Sequence, residues 1–135
     1  MPKLKMYVVD DDQDDRFFLT DAIKAVIQPV EIVELTDGME FIQAIKEDTI
    51  ESNSIVVLLD MNMPKMNGLE VLEALQFDHK TKDIPVMMVS TSQNETLITE
   101  AYRLGVRRYF TKPVNMKEYE KMIQQIMETL VNDLL

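Results

Sequence analysis

Four residues that could do chemistry each stand at or just past the end of an apolar run, and these are Asp10, Asp11, Asp60 and Lys112. Carboxylates that are held close together repel one another unless a cation joins them. Three oxygen donors of this kind suit Mg²⁺. A lysine at the same place could neutralise an anion beside the metal. The combination predicts phosphoryl chemistry on an aspartate, with Mg²⁺ as the cofactor.

The elements that must position these residues follow from the pattern of apolar residues, because strand-like runs alternate with helix-like stretches five times. The pattern predicts strands near 4–9, 30–35, 55–59, 84–89 and 106–110, and helices near 14–27, 38–48, 67–77, 93–104 and 115–133. Leu19, Ala22, Ile23 and Val26, for example, have the spacing of one helical face. Repeated strand–helix order predicts an α/β fold, a five-stranded parallel sheet with helices on both faces.

Helix starts are indicated by capping residues that have a glutamate three positions further on. The pairs are Asp37 with Glu40, Asn67 with Glu70, Ser92 with Glu95, and Asn115 with Glu118. In a parallel sheet the carboxyl ends of the strands share one edge. We therefore expect Asp10, Asp11, Asp60, Ser90 and Lys112 to converge there.

Composition restricts the class of protein. The 135 residues predict a single domain over 1–135, with 46% hydrophobic and 28% charged residues. No run approaches the ~18 apolar residues of a membrane span, and the absence of cysteine excludes disulfides and thiolate sites. A net charge of −10 argues against nucleic acid as a direct partner. These features predict a cytoplasmic protein without a membrane or nucleic-acid partner.

Asp60 ends a wholly apolar strand, so its carboxylate is expected at a partly desolvated edge. The alternative is a solvated loop aspartate or a helix cap. We interpret Asp60 as a nucleophile that attacks phosphorus and forms an acyl phosphate.

Asp10 and Asp11 have a simpler alternative, because Asp11 or Asp12 could cap the first helix. Two acids in succession exceed what capping needs, which favours metal binding. Asp11 is the expected direct ligand and Asp10 the water-bridged one. Asp12, Asp14 and Asp15 are interpreted as acids that the helix dipole favours near a helix start.

Ser90 closes the fourth predicted strand, where its hydroxyl could bond a phosphoryl oxygen. The alternative is a strand-end serine that begins the turn, and a shift of one register step could place Thr91 or Ser92 there instead. Lys112 precedes Pro113 and is expected to be extended; a solvated lysine is its alternative. Tyr109 has the ordinary interpretation of a half-buried strand aromatic, and His79 that of a solvated loop residue.

With these residues in view, the chain resembles a receiver domain of a two-component response regulator. The motifs that carry the resemblance are Val8-Val9-Asp10-Asp11, the stretch 58–64 with Asn67-Gly68, Val89-Ser90, and Tyr109 through Lys112-Pro113. The resemblance implies a flavodoxin-like doubly wound (βα)5 fold with strand order 2-1-3-4-5. The acidic stretch 10–15 is also similar to single-domain receivers that serve phytochrome-like kinases.

The resemblance also implies a role for each residue. Asp60 would accept a phosphoryl group from a histidine of a sensor histidine kinase or of a histidine phosphotransfer protein. Mg²⁺ would be held by Asp11, Asp60 and the backbone carbonyl of Asn62, with Asp10 acting through water. Lys112 would pair with the phosphoryl oxygens. Such a protein is a signalling phosphoacceptor and not an enzyme, beyond assisting its own phosphorylation and dephosphorylation.

The implied output is a conformational switch. Ser90 would move to bond the phosphoryl group and Tyr109 would turn inward, which changes the face formed by the fourth helix, fifth strand and fifth helix. A stand-alone receiver would then dock on a downstream protein target or pass the phosphoryl group to another histidine in a phosphorelay. The apolar end of the last helix, Leu130, Val131, Leu134 and Leu135, could mediate a homodimer through the fourth and fifth helices. The alternative is that packing on the sheet explains most of this apolar stripe.

Two other functions compete with the receiver. One is a Mg²⁺-dependent phosphatase of the haloacid dehalogenase type, which works through an aspartyl phosphate. Those enzymes have Asp-x-Asp at the nucleophile, whereas this chain has Asp60-Met61-Asn62. The other is a degenerate receiver that acts only as a scaffold, which the complete set of site residues argues against.

Overall fold

A computed structural model describes residues 4–49 and 54–134 of the chain and gives ten elements in alternating order. The strands are β1 (Leu4–Val9), β2 (Val30–Leu35), β3 (Ile55–Leu59), β4 (Val86–Ser90) and β5 (Arg108–Thr111). The helices are α1 (Gln13–Val26), α2 (Gly38–Glu47), α3 (Gly68–Phe77), α4 (Glu95–Arg103) and α5 (Met116–Leu134). The strands form one parallel sheet in the order β2-β1-β3-β4-β5, so the predicted fold class and strand order are confirmed.

Each face of the sheet buries a separate apolar cluster, because successive side chains of a strand point to opposite faces. In β3, Val57 and Leu59 pack with Phe41 of α2 and Leu72 of α3. The alternate residues of β1 and β3 pack with α1 and α5, for example against Ile23. Fully buried strands on both faces explain why β3 and β4 are continuous apolar runs rather than alternating ones.

Backbone hydrogen bonds extend the sheet one residue past the strand ends. The Asp10 N–H donates to the Leu35 carbonyl at 3.1 Å, and the Asp60 N–H donates to the Val9 carbonyl at 3.0 Å. The Lys112 N–H donates to the Ser90 carbonyl at 2.9 Å. The backbone at Asp10, Asp60 and Lys112 is therefore held by the sheet itself.

Most of the predicted helix starts are confirmed. The side chains of Asp37 and Asn67 each accept the backbone N–H three residues on, and Asn67 with Glu70 forms a complete capping box. The Asn115 side chain likewise accepts the Glu118 N–H at 2.9 Å. Asp12 caps α1, which was one of the alternatives weighed for that stretch.

The prediction that Ser92 caps the fourth helix is wrong. Asn94 is the cap, and its side-chain oxygen accepts the N–H groups of Thr96 and Leu97. The Ser92 hydroxyl oxygen instead accepts the Asn94 N–H at 3.4 Å, within the turn that precedes the helix. Serine and asparagine bond nearby backbone groups equally readily in turns and at caps, so spacing to a glutamate could not separate them.

None of the helices within residues 4–49 and 54–134 is both long and apolar enough to cross a bilayer.

Candidate functional site

Three carboxylates meet where β1 and β3 end. Oxygen atoms of Asp10, Asp11 and Asp60 lie within 4.8 Å of one another. Asp10 is 1% exposed and Asp60 is 5% exposed, whereas Asp11 faces solvent. The two buried groups directly follow the adjacent central strands β1 and β3, and Asp11 is the exposed member of the cluster.

The cluster fits a hard divalent cation. The donors are carboxylate oxygens, which Mg²⁺, Mn²⁺ and Ca²⁺ prefer. Asp10 Oδ2 is buried and has no hydrogen-bond partner among the described residues; its recorded contact is an ion pair with the Lys112 ammonium at 3.0 Å. A buried oxygen with an unused lone pair, beside two further carboxylates, is what a cation site requires.

Short backbone contacts shape the loops that hold these acids. Asp10 Oδ1 accepts the Asp12 N–H at 2.9 Å, and Asp60 Oδ1 accepts the Asn62 N–H at 3.3 Å. Arg16 of α1 donates to the Asp10 carbonyl at 2.7 Å. These bonds fix the direction of the carboxylates without using the oxygens Asp10 Oδ2 and Asp60 Oδ2.

Gly68 lets the start of α3 pass directly beneath Asp60. Its N–H donates to the Met61 carbonyl at 2.9 Å. A Cβ at this position would lie 2.6 Å from the Asp60 carbonyl oxygen, closer than a real side chain can approach. Glycine is therefore required here by close backbone approach.

Lys112 brings one positive charge to the three carboxylates that surround it. Its ammonium lies 2.6 Å from Asp15 Oδ2, 3.0 Å from Asp10 Oδ2 and 3.4 Å from Asp60 Oδ2. The Lys112 side chain is only 9% exposed, so these interactions are weakly screened. The alternative of a solvated lysine does not describe this residue.

Sequence reasoning missed the contact of Asp15 with Lys112, since Asp15 was interpreted only as an acid favoured by the helix dipole. Asp15 does lie in the first turn of α1, but its side chain turns toward the sheet edge. The signal that could have found it is spacing. Asp15 stands four residues before buried Leu19 and seven before buried Ala22, so it continues the buried stripe of α1 toward the site.

The site shifts the ionisation of its own groups. Burial, together with the nearby Asp60 charge, raises the pKa of Asp10 to about 6. The hydrogen bond from the Asp12 N–H and the positive charge of Lys112 oppose this rise. Burial also raises the pKa of Asp60 above its usual value, although the Lys112 charge and the Asn62 N–H oppose the rise. Burial alone would lower the pKa of Lys112, but its hydrogen bond to Asp15 and its ion pair with Asp10 outweigh that effect and raise the pKa.

Ser90 and Tyr109 lie on the neighbouring strands. Ser90 is fully buried at the end of β4, and its hydroxyl oxygen accepts the Ser92 N–H at 3.3 Å. Tyr109 is half-buried on β5 and donates its hydroxyl to the Ser92 carbonyl at 2.7 Å. The Tyr102 hydroxyl, which sequence reasoning did not single out, accepts the Tyr109 N–H at 3.0 Å. Tyr109 therefore connects α4, β5 and the loop that follows Ser90.

The remaining predicted residues are placed as follows. Asn62 lies in the loop after β3 and contacts Asp60 through its N–H; the metal role of its carbonyl stays a prediction. His79 is exposed in the turn after α3, as expected of a solvated loop histidine.

Comparison with known proteins agrees with this geometry. Residues 6–124 match the response regulator receiver domain family. Response regulator Rcp1 of Synechocystis sp. is 35% identical over 128 residues, which cover 93% of this chain and 86% of Rcp1.

Two solved structures extend the comparison. The phosphorylated cyanobacterial phytochrome response regulator RcpA has a TM-score of 0.83 at 32% identity, and the match covers 96% of this chain and 95% of RcpA. The Mn²⁺-bound form of Rcp1 has a TM-score of 0.78 at 33% identity, and the match covers 93% of this chain and 91% of that one.

The raised pKa of Asp10 predicts a pH-dependent gain in stability for Asp10→Asn. Because the pKa of Asp10 is about 6 in the folded protein against 3.8 for the ordinary group, the folded state loses stability as pH rises from about 3.8 to about 6, and this loss is complete above pH 6. We expect Asp10→Asn to raise the free energy of unfolding by about 2 kcal/mol at pH 7.5 in chelator. The gain should disappear near pH 4.

Urea denaturation over a pH series measures this gain. Asp14→Asn removes an exposed acid from the first turn of α1 and controls for the loss of one negative charge from a chain of net charge −10. A gain that is the same at pH 4 and pH 7.5, or a loss at pH 7.5, would contradict the prediction.

Proposed function

Since this chain belongs to the response regulator receiver family, we propose that Asp60 is its phosphoacceptor and takes a phosphoryl group from a histidine of a sensor kinase or phosphotransfer protein. The observation that carries this proposal is the arrangement at the sheet edge. Asp60 Oδ2 lies 3.4 Å from the Lys112 ammonium, and Asp60 shares a cation-binding cluster with Asp10 and Asp11. Phosphoryl transfer depends mainly on positioning and on neutralising charge.

We propose Mg²⁺ as the resident cation, held by Asp11, Asp60 and the Asn62 carbonyl, with Asp10 acting through water. When bound, the cation neutralises charge on the phosphoryl oxygens. Asp10 Oδ2, which is buried and accepts no hydrogen bond within the described residues, supports this assignment, as does the all-oxygen donor set. The Mn²⁺-bound structure of the relative Rcp1 supports a divalent metal in this fold.

The chain's own residues carry out the rest of the reaction. The Asp60 carboxylate attacks phosphorus, and Lys112 pairs with a phosphoryl oxygen as negative charge moves toward the site. Fully buried Ser90 at the end of β4 would donate its hydroxyl to another phosphoryl oxygen.

The proposed switch is the pair Ser90 and Tyr109. Both now contact Ser92, one through the Ser92 N–H and the other through its carbonyl. Movement of Ser90 toward a phosphoryl group would loosen this shared loop and allow Tyr109 to turn inward. The face formed by α4, β5 and α5 would then differ between the two states.

The proposed partners are proteins. Upstream is a histidine kinase or histidine phosphotransfer protein, and downstream is a docking target or the next histidine of a phosphorelay. RcpA is named as a cyanobacterial phytochrome response regulator, which supports a light-sensing kinase as the donor. The acidity of the chain, with net charge −10, argues against nucleic acid as a direct partner, and the proposed location is the cytoplasm.

Neither competing function has equal support. The family match does not favour a phosphatase, and the cluster around Lys112 retains the parts that a degenerate scaffold would lose. Multiple turnover of a small phosphate ester is the result that would support the phosphatase hypothesis.

A homodimer through the fourth and fifth helices remains a proposal. Val131 near the end of α5 is 53% exposed, and Leu130 is partly buried. The side chains of Leu134 and Leu135 lie outside the described residues. Light scattering on a dilution series tests it; Val131→Asp should lower the apparent mass at high concentration, and a native monomer at every concentration would remove the proposal.

The central prediction is that incubation with acetyl phosphate and Mg²⁺ adds one phosphoryl group to the native chain. We expect none with Asp60→Asn, and none for the native chain when a chelator removes the metal, since Lys112 would then be left to oppose, without the metal, the negative charge of the carboxylates and of the phosphoryl donor. Intact mass spectrometry measures the stoichiometry.

Asp83→Asn is the matched control, because it removes an exposed acid on the turn before β4. It should be modified as the native chain is. Modification of Asp60→Asn to the native level, or an equal level in chelator, would refute the assignment of Asp60 and the cation.

A further inference from the structure

We propose that Asp15 is a positioning residue for phosphoryl transfer, because it holds the Lys112 ammonium beside Asp60 and keeps it from closing on the nucleophile. This inference rests on the proposed function and adds a residue from α1 to it.

The geometry makes Asp15 the nearest carboxylate to Lys112. The ammonium is 2.6 Å from Asp15 Oδ2 and 3.4 Å from Asp60 Oδ2. Asp15 is 25% exposed, and the Lys112 side chain is 9% exposed. A charge-assisted hydrogen bond of this length is among the stronger polar contacts, and burial of the lysine limits screening.

Asp15 differs from the other two partners of Lys112 in what else it does. Asp10 and Asp60 belong to the cluster that fits a cation. Asp15 lies outside that cluster and comes from a helix instead of a strand end. Within the described residues its side chain accepts a hydrogen bond from the Lys112 ammonium. Asp15 can therefore keep the lysine in place while Asp10 and Asp60 engage a metal.

The contact from Asp15 matters because the reaction places two conflicting requirements on the position of Lys112. The ammonium must be close enough to receive a phosphoryl oxygen, yet a tight ion pair with Asp60 would occupy the carboxylate that attacks phosphorus. Without Asp15 the described partners of the ammonium would be Asp10 and Asp60 alone. The lysine would then move toward the nucleophile and compete with the cation for it.

The step that Asp15 assists is a balanced group transfer. An Asp60 oxygen forms a bond to phosphorus, and the bond from phosphorus to the donor's leaving group breaks. With acetyl phosphate, acetate departs with the electron pair. Asp15 touches neither reactant and acts through Lys112 alone.

The test is the saturating rate of phosphorylation by acetyl phosphate and Mg²⁺. We expect Asp15→Asn to lower it about tenfold, the order expected when one charged contact is misplaced. Asp15→Glu keeps the charge within reach and should recover most of the rate. Asp14→Asn removes an exposed acid from the same turn and should change the rate less than twofold.

A double-mutant cycle separates action through Lys112 from a general effect of charge. In the Lys112→Ala background, Asp15→Asn should cause no further loss. A tenfold loss in that background would overturn the positioning role. Far-UV circular dichroism of each variant checks that the rates come from folded protein.

Calorimetric titration with Mg²⁺ gives a readout that needs no phosphorylation. Because a released lysine competes for Asp60, Asp15→Asn should weaken Mg²⁺ binding more than Asp14→Asn does, and Lys112→Ala should abolish the difference. If the native chain is phosphorylated on Asp60 but Asp15→Asn behaves as Asp14→Asn, the positioning role alone is overturned. If the native chain is never phosphorylated, the proposed function fails and this role fails with it.

Discussion

Two nearly inaccessible carboxylates can stand on neighbouring central strands because one ammonium contacts both of them. Asp10 and Asp60 are 1% and 5% exposed, and two ionised groups in such a place would repel each other strongly. Lys112 lies 3.0 Å from the first and 3.4 Å from the second. The compensation is incomplete, since the pKa of each carboxyl stays above its usual value. The remaining excess of negative charge is what makes the place attractive to a divalent cation.

The parallel sheet creates this arrangement. Strand ends share one edge, and the ladder of backbone bonds continues past β1, β3 and β5 into the residues that follow. The site therefore inherits the rigidity of a sheet that is buried on both faces. Preorganisation of this kind lets fixed charges act on a phosphoryl group without rearrangement at the moment of transfer. The turn around Ser92 lies outside the sheet ladder and is held by hydrogen bonds with Ser90 and Tyr109.

Much of this could be predicted from the sequence, and the reason is periodicity. Apolar runs located the strands to within about two residues, and the common edge of parallel strands then brought Asp10, Asp60 and Lys112 together. The strand order came from resemblance, because alternating order alone is compatible with several arrangements. The helix caps at Asp37 and Asn67 followed from local chemistry.

The features that could not be predicted depend on side-chain direction. Asp15 reaches Lys112 across almost a hundred positions of sequence, from helix to strand end, and only the packing of α1 on the sheet brings them together. Asn94 replaces Ser92 as a cap because both residues have suitable acceptors and the loop geometry decides between them. The bond from Tyr109 to the Ser92 carbonyl likewise requires knowing where the loop lies.

The measurement that tests the central claim most directly is chemical mapping of the phosphorylated residue. Borohydride reduces an aspartyl phosphate to homoserine, and fragment sequencing of the tryptic peptide 47–65 separates Asp60 from Asp48, which lies in the same peptide. We predict homoserine at position 60, in amounts that depend on Mg²⁺. Homoserine at Asp10, Asp11 or any other aspartate, with none at position 60, would contradict the account.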